Sequence, residues 1–153
     1  MDRKSKRTVQ LPQIQKIIPI KSTKEIASVK RVIDGDTIVL SDERKVRYIG
    51  IDTPEIHHPL KSVQCFGTEA AQFNKNLVEG KEVTLQRDIS ETDKYGRLLR
   101  YVWVDNIFVN EYLVKEGYAH VATFPPDVMY VELFQKAAQE ARIGNKGLWN
   151  KCN

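Results

Sequence analysis

At 153 residues, with 41% hydrophobic and 29% charged side chains, the chain is long enough to bury the core of one domain. That composition excludes wholesale disorder, and no apolar run approaches the roughly 18 residues of a membrane span. The net charge of +4 is unevenly spread: residues 1–31 hold nine Lys/Arg against two Asp/Glu, giving +7 there and −3 over the rest.

The basic excess therefore belongs to the start of the chain. Residues 1–24 show no clear periodicity and read as a basic, flexible leader ahead of a domain spanning 25–153. Such a tail raises non-specific affinity for nucleic acid by counterion release, or is simply a solvated leader. Gln13, Gln15 and Lys16 interrupt its apolar stretch and no small-residue cleavage site follows, so it does not read as a secretory signal. The compartment stays open: cytoplasmic by default, secreted if a segment upstream of Met1 has been removed.

From Glu25 the pattern becomes rich in β-formers. "IASVKRVI" runs into the tight-turn signal "DGD", "TIVL" is a short apolar strand, and "VRYIGI" after the polar "SDERK" is a third. A loop over 52–66 contains Pro54 and Pro59. A helix is expected from Gly67 to Glu79, with Ala70, Phe73 and Leu77 on one face and Gly80 as its stop. "KEVTLQRD" is a fourth strand, and "RLLRYVWVD", after the polar loop "ISETDKYG", is a fifth. "IFVNEYLVKEG" reads as a short helix. A last helix is expected over 130–142, with Leu133, Phe134, Ala137 and Ala141 on one side and Gly144 after it. Mainly β with α, five strands with a helix between the third and fourth, is the element order of a Greek-key OB-fold barrel carrying three α-helices.

Asp34, Asp36, Asp52 and Glu55 all fall at strand ends. If the second and third strands form a hairpin, Asp36 and Asp52 return to the same end of it. Two carboxylates so placed repel unless something positive lies between them, and a hard divalent cation suits an all-oxygen donor set. Pro54 has no N–H to give to a ladder, so the chain leaves the sheet there, and Thr53 is biased to extended backbone with its carbonyl free to join a metal. Glu55 is then placed to act through a water as general base. Arg47 and Arg97 are the obvious groups to hold a phosphate and the extra charge of its transition state. Taken singly, each motif has a plain structural reading as a turn, a cap or a surface charge. Together they supply the parts of metal-assisted phosphodiester cleavage.

The ordered set "VIDGDTIVL", "VRYIGIDTPE", "HP", "FGTEAAQF", "DKYGRLLRYVWV", "VNEYLVKEGYA" and "GLW" resembles the staphylococcal nuclease (thermonuclease) family over residues 26–150. The resemblance implies an OB barrel with three helices and Ca²⁺-dependent hydrolysis of DNA and RNA, leaving 3′-phosphate and 5′-hydroxyl ends. By it, Asp36, Asp52 and the Thr53 carbonyl would ligate Ca²⁺, with Asp34 as an outer partner. Glu55 would orient the attacking water, Arg47 and Arg97 would clamp the scissile phosphate, and Lys94 and Tyr95 would line the site. The sequence departs from the family's best-known member at Thr123 and Pro125, where that protein has two tyrosines that stack on the base and bind phosphate. Phe124 either supplies a stacking face or takes a core or loop role.

A non-catalytic nucleic-acid-binding OB module is the alternative; it would have lost the acidic and arginine residues, all of which are present. His57, His58 and His120 read as solvated loop residues, and Trp103 and Trp149 as packing anchors. Cys65 and Cys152 fit no zinc spacing and either pair with each other or stand as unrelated thiols. Nothing calls for an oligomer, so a monomer is expected.

Overall fold

The computed structural model describes residues 23–60 and 62–152, so most of the expected leader lies outside the described residues. Strand β1 (Lys24–Asp34) is followed by β2 (Thr37–Leu40), β3 (Lys45–Tyr48) and β4 (Ile51–Asp52), then helix α1 (Gly67–Val78). Strands β5 (Glu82–Gln86), β6 (Leu98–Val104) and β7 (Ile107–Phe108) precede α2 (Val109–Lys115). A short β8 (His120–Val121), α3 (Val131–Ile143) and α4 (Leu148–Lys151) complete the order.

The neighbour order β3-β2-β1-β5-β6 closes on itself because β3 also pairs with β6, in parallel, through Val46↔Leu98 to Tyr48↔Arg100. This is the expected five-stranded barrel. The long β1 serves two neighbours, pairing with β5 through Lys24–Ser28 and with β2 through Val29–Asp34. Its register shifts between Val29 and Arg31 and again between Val32 and Asp34, which bends the strand around the barrel. Closure leaves the ladder without exposed edges around this circuit.

Val29, Ile38, Leu40, Val46, Tyr48, Leu85, Tyr101 and Val102 form the interior, each almost wholly buried. α1 contributes Ala70, Asn74 and Val78, with Phe73 and Leu77 partly buried against the same core. An aromatic group of Tyr101, Trp103, Phe108, Tyr130 and Phe134 fills the space between β6, β7 and α3, with Trp103 stacked on Phe108 at 4.1 Å. Trp103 thus anchors packing, as expected.

Four expectations are corrected. Among the described residues there are four helices, since residues 148–151 form an extra turn. Residues 107–108 pair with β6 before the chain enters α2, so that helix is shorter than its periodicity suggests. On α3 the inward set is Phe134, Ala137, Ala138 and Ala141, whereas Leu133 is exposed. The third strand is broken at Ile49–Gly50. Gly50 has φ of +80°, and a Cβ there would lie 2.6 Å from the Phe134 ring, so the kink needs glycine for its backbone and for its space. The freed Ile49 carbonyl is taken by buried Asn110, whose Nδ2 donates to it at 2.9 Å while its Oδ1 accepts from the Val102 N–H at 2.9 Å.

Cys65 and Cys152 are joined in a disulfide, which settles the open alternative. Among the described residues, no helix is long and apolar enough to cross a membrane.

Candidate active site

The break at Gly50 and the proline at Pro54 isolate β4 as a two-residue strand. It leaves the barrel and pairs with β8, Ile51 opposite Val121 and Asp52 opposite His120. Meanwhile β2 and β3 form the expected hairpin, with Thr37 opposite Arg47. Asp36, at the mouth of β2, is therefore carried next to the end of β4. The Thr53 N–H donates to Asp36 Oδ2 at 2.9 Å, and the Thr37 hydroxyl donates to Oδ1 at 3.0 Å. Asp34 reaches around the turn, its Oδ1 accepting the Asp36 N–H at 3.1 Å.

The positive group between Asp36 and Asp52 is the Arg47 guanidinium. Nη2 lies 3.2 Å from Asp36 Oδ2 and 3.1 Å from Asp52 Oδ1. Nη1 donates to the carbonyls of Tyr48 and Ile51, both at 2.8 Å. Arg47 thus fastens the kinked third strand as well as countering the carboxylates, a role its position in the sequence does not reveal. The arginine and Asp36 side chains are only 16% and 7% exposed, but that of Asp52 is 62% exposed.

Burial dominates the electrostatics. It pushes the Asp34 carboxyl up to about 8, with the neighbouring Asp36 and Glu55 charges adding to the effect. Asp52 is raised by partial burial at the barrel mouth and by Asp36, against the opposing pull of Arg47 and His120. Glu55 lies close enough to raise both aspartates. Its Oε1 accepts the His57 N–H at 2.8 Å, and its own N–H donates to Gln64 Oε1 at 2.7 Å.

The second arginine is held differently. Asp93 accepts the N–H groups of Tyr95 and Arg97 on Oδ1 at 2.9 and 3.0 Å, and Arg97 Nε on Oδ2 at 2.7 Å. Burial alone would raise Asp93, but these hydrogen bonds outweigh it and hold its carboxyl below the usual range. The Tyr95 ring lies 5.1 Å from Lys94 Nζ and 5.5 Å from the Arg97 guanidinium.

Arg47, Lys94, Tyr95 and Arg97 all line one cavity of about 440 Å³, with Ile51, Leu99 and Phe124 among its other walls. The expected residues therefore form two adjoining groups: an acidic one of Asp34, Asp36, Asp52, Thr53 and Glu55, and a basic, aromatic one around the cavity. Arg47 belongs to both. Phe124 does not take a core role: it is 68% exposed at the cavity rim. Asp127 joins the cavity from the same loop, holding the Ile89 and Ser90 N–H groups at 3.1 and 2.8 Å. Neither Asp93, Asp127 nor Gln64 was marked by the sequence, because each acts by folding a loop back on itself or on another.

The histidines flank the acidic group: the His57 N–H is held by Glu55, and His120 lies opposite Asp52. His57 and His58 are exposed in the loop, although His57 Nε2 contacts the Ile33 carbonyl at 2.9 Å, and His120 lies on β8 and not in a loop. Trp149 packs edge-on against His120 with Arg142 over its ring.

Among the described residues, no group of three or more His, Cys, Asp or Glu side chains is arranged to hold a metal ion. The donor set at the mouth is two carboxylates plus backbone and hydroxyl oxygen. Thr53 Oγ1 is buried there with no hydrogen-bond partner. An oxygen-only set with an unsatisfied oxygen suits a hard cation and not zinc.

Comparison with known proteins agrees with this geometry. Residues 45–151 match the family described as Staphylococcal nuclease homologue. The chain is 41% identical to a thermonuclease of Staphylococcus hyicus over 123 residues, covering 78% of this chain and 73% of that protein. It is 40% identical to a thermonuclease of Staphylococcus intermedius over 126 residues, covering 80% and 75%. Endonuclease YncB of Bacillus subtilis is 42% identical over 138 residues, which is 86% of this chain and 65% of that relative. With the closed barrel and the acidic and arginine groups converging at its mouth, the chain belongs to the staphylococcal nuclease family of phosphodiester-hydrolysing enzymes.

Proposed function

We propose that this nuclease hydrolyses DNA and RNA in a Ca²⁺-dependent reaction, leaving 3′-phosphate and 5′-hydroxyl ends. The observation that carries the reading is the position of Arg47, bonded to both Asp36 and Asp52 on one side and lining the cavity with Arg97 on the other. Asp36, Asp52 and Thr53 would hold the cation, with Asp34 behind them. Bound there, it would supply positive charge to a phosphate oxygen and to the attacking water.

The chain's own residues account for the remaining steps. Glu55 accepts the proton of the water that attacks phosphorus, the P–O5′ bond breaks, and the departing oxygen takes a proton from the medium. Arg47 and Arg97 meet the charge that grows on the equatorial oxygens. Both are fixed beforehand, Arg47 by two carbonyls and Arg97 by Asp93, so little reorganisation is needed. Lys94 contacts an adjacent phosphate. Tyr95, 72% exposed at the same cavity, presents a flat face that tolerates any base.

Gel assays of DNA and RNA with Ca²⁺ and with chelator, followed by end-group analysis, test the reading. Cleavage that stops with chelator and leaves 3′-phosphates is expected. Chelator-resistant cleavage contradicts the metal assignment, and binding without cleavage favours a non-catalytic module.

A further inference from the structure

The loop that carries Glu55 is closed by contacts the catalytic reading does not use. The Glu55 N–H donates to Gln64 Oε1 at 2.7 Å, and the Gln64 N–H donates back to the Glu55 carbonyl at 2.9 Å. Gln64 thus holds both backbone groups of Glu55, its N–H and its carbonyl. Its carbonyl also accepts the Gly67 N–H at 2.9 Å, tying this clasp to the start of α1. A Cβ on Gly67 would lie 2.7 Å from Ile56 Cγ2 and 3.1 Å from the Glu55 carbonyl oxygen, so the helix start is pressed directly against the glutamate's segment.

The next residue is Cys65, bonded to Cys152 across 87 positions. Cys152 follows α4, whose Leu148 is buried and donates its N–H to the Gly117 carbonyl at 2.8 Å. Gln64 and Cys65 are themselves exposed, so hydrogen bonds alone would hold the clasp weakly. The disulfide supplies a covalent tie to a packed element.

We propose that Gln64 is a positioning residue for Glu55, and that the Cys65–Cys152 disulfide keeps it in register, making turnover depend on the redox state of this bond. The inference rests on Glu55 acting as the base. Reduction by a dithiol passes two electrons and two protons to the disulfide, giving two thiols while the dithiol closes to its own disulfide. The clasp then loosens, and Glu55 loses alignment with the water. Misplacement of a reacting group by a fraction of an ångström is enough to lower kcat by about threefold to tenfold.

The test measures kcat and KM for DNA at saturating Ca²⁺, well below the melting temperature, with folding followed by circular dichroism. Gln64→Leu, which deletes the acceptor but keeps the disulfide, is expected to lower kcat about threefold to tenfold. KM should stay within about twofold, because Arg47, Arg97, Lys94 and Tyr95 sit on other elements. Gln64→Glu, which keeps an acceptor oxygen, should restore kcat. The Cys65→Ser/Cys152→Ser double variant should match dithiol-treated wild type, reoxidation should restore only the latter, and Gln64→Leu should add little in the double-serine background. If Glu55→Ala lowers kcat strongly while Gln64→Leu turns over like wild type, the clasp is refuted and the base assignment survives. If Glu55→Ala itself retains full kcat, both fall together.

Discussion

Replacing Arg47 by methionine removes the only side chain among the described residues that bridges Asp36 and Asp52, while keeping length and apolar bulk. The cost follows from burial. Asp36 and Arg47 are 7% and 16% exposed, so their pair is close to the buried limit, where removing one partner costs about 3–5 kcal/mol by stranding the other charge. The Asp52 bridge, with that carboxylate 62% exposed, adds at most about 1 kcal/mol. Two backbone carbonyls, of Tyr48 and Ile51, also lose their donor, and part of that loss is recovered by water. A net destabilisation of about 3–5 kcal/mol corresponds to a fall in Tm of about 6–20 °C for a domain of this size.

The more discriminating measurement is the response to Ca²⁺. If Asp36 and Asp52 hold the cation as proposed, in wild type it must share them with Arg47. In Arg47→Met it meets uncompensated carboxylates and relieves their repulsion. Urea unfolding with and without Ca²⁺ should therefore show a larger cation-induced stabilisation in the variant than in wild type. Two results would refute the reasoning: an Arg47→Met protein within about 1 kcal/mol of wild type in chelator, or a cation effect no larger than that on wild type.

Asn110→Ala leaves the buried Val102 N–H and Ile49 carbonyl without partners, and should cost about 2–4 kcal/mol in urea unfolding; a change below about 1 kcal/mol would mean the third-strand break is held by something else. Gly50→Ala should lower stability by about 2 kcal/mol or more, since both its φ of +80° and the Phe134 ring oppose a methyl group; differential scanning calorimetry reads this directly. Asp93→Asn should weaken the hold on Arg97, lower kcat, and destabilise the fold at neutral pH. Because the folded Asp93 carboxyl is held below its ordinary value, its contribution is fully present above the unfolded value and is lost as pH falls through the folded one. The stability gap between wild type and Asp93→Asn should therefore be constant near neutrality and close in acid, and a gap that widens in acid would reverse the assignment.

The convergence of Asp36 and Asp52 was legible because a hairpin between "TIVL" and "VRYIGI" has only one end to which both can return. The barrel was legible for a related reason: five β-rich segments with short turns and one intervening helix admit few closed arrangements. What stayed hidden depends on side-chain paths and not on periodicity. Arg47 sits within a strand pattern, and nothing local says that its guanidinium reaches the carbonyls of Tyr48 and Ile51 on either side of the strand break. The third strand looked continuous since Ile49 and Ile51 are apolar on both sides of Gly50, yet the close approach of Phe134, from a helix about 80 residues on, makes the glycine a kink. The pairing of Cys65 with Cys152 was likewise undetermined, because no local pattern relates positions 87 apart. Leu133 failed as a core position because the buried stripe of α3 is shifted toward Ala138, and its alanines let the helix lie close.

The locations of these irregularities are connected. A barrel strand paired continuously along its length points successive side chains alternately into the apolar core and out to solvent, so a half-buried pair of carboxylates is better accommodated at a strand end than in mid-ladder. Gly50 and Pro54 manufacture such an end on either side of Asp52, and each break exposes backbone groups that must be satisfied. Asn110 takes one carbonyl, Arg47 takes two more, Asp36 takes the Thr53 N–H, and Gln64 takes that of Glu55. Two of these four residues that repair the broken ladder, Arg47 and Asp36, are thus also residues that carry charge at the mouth. Stability and chemistry are coupled through the same hydrogen bonds, and substitutions at Asp36 or Arg47 will change both. Only positions that repair without carrying charge, Asn110 and Gln64, offer a way to vary one while holding the other.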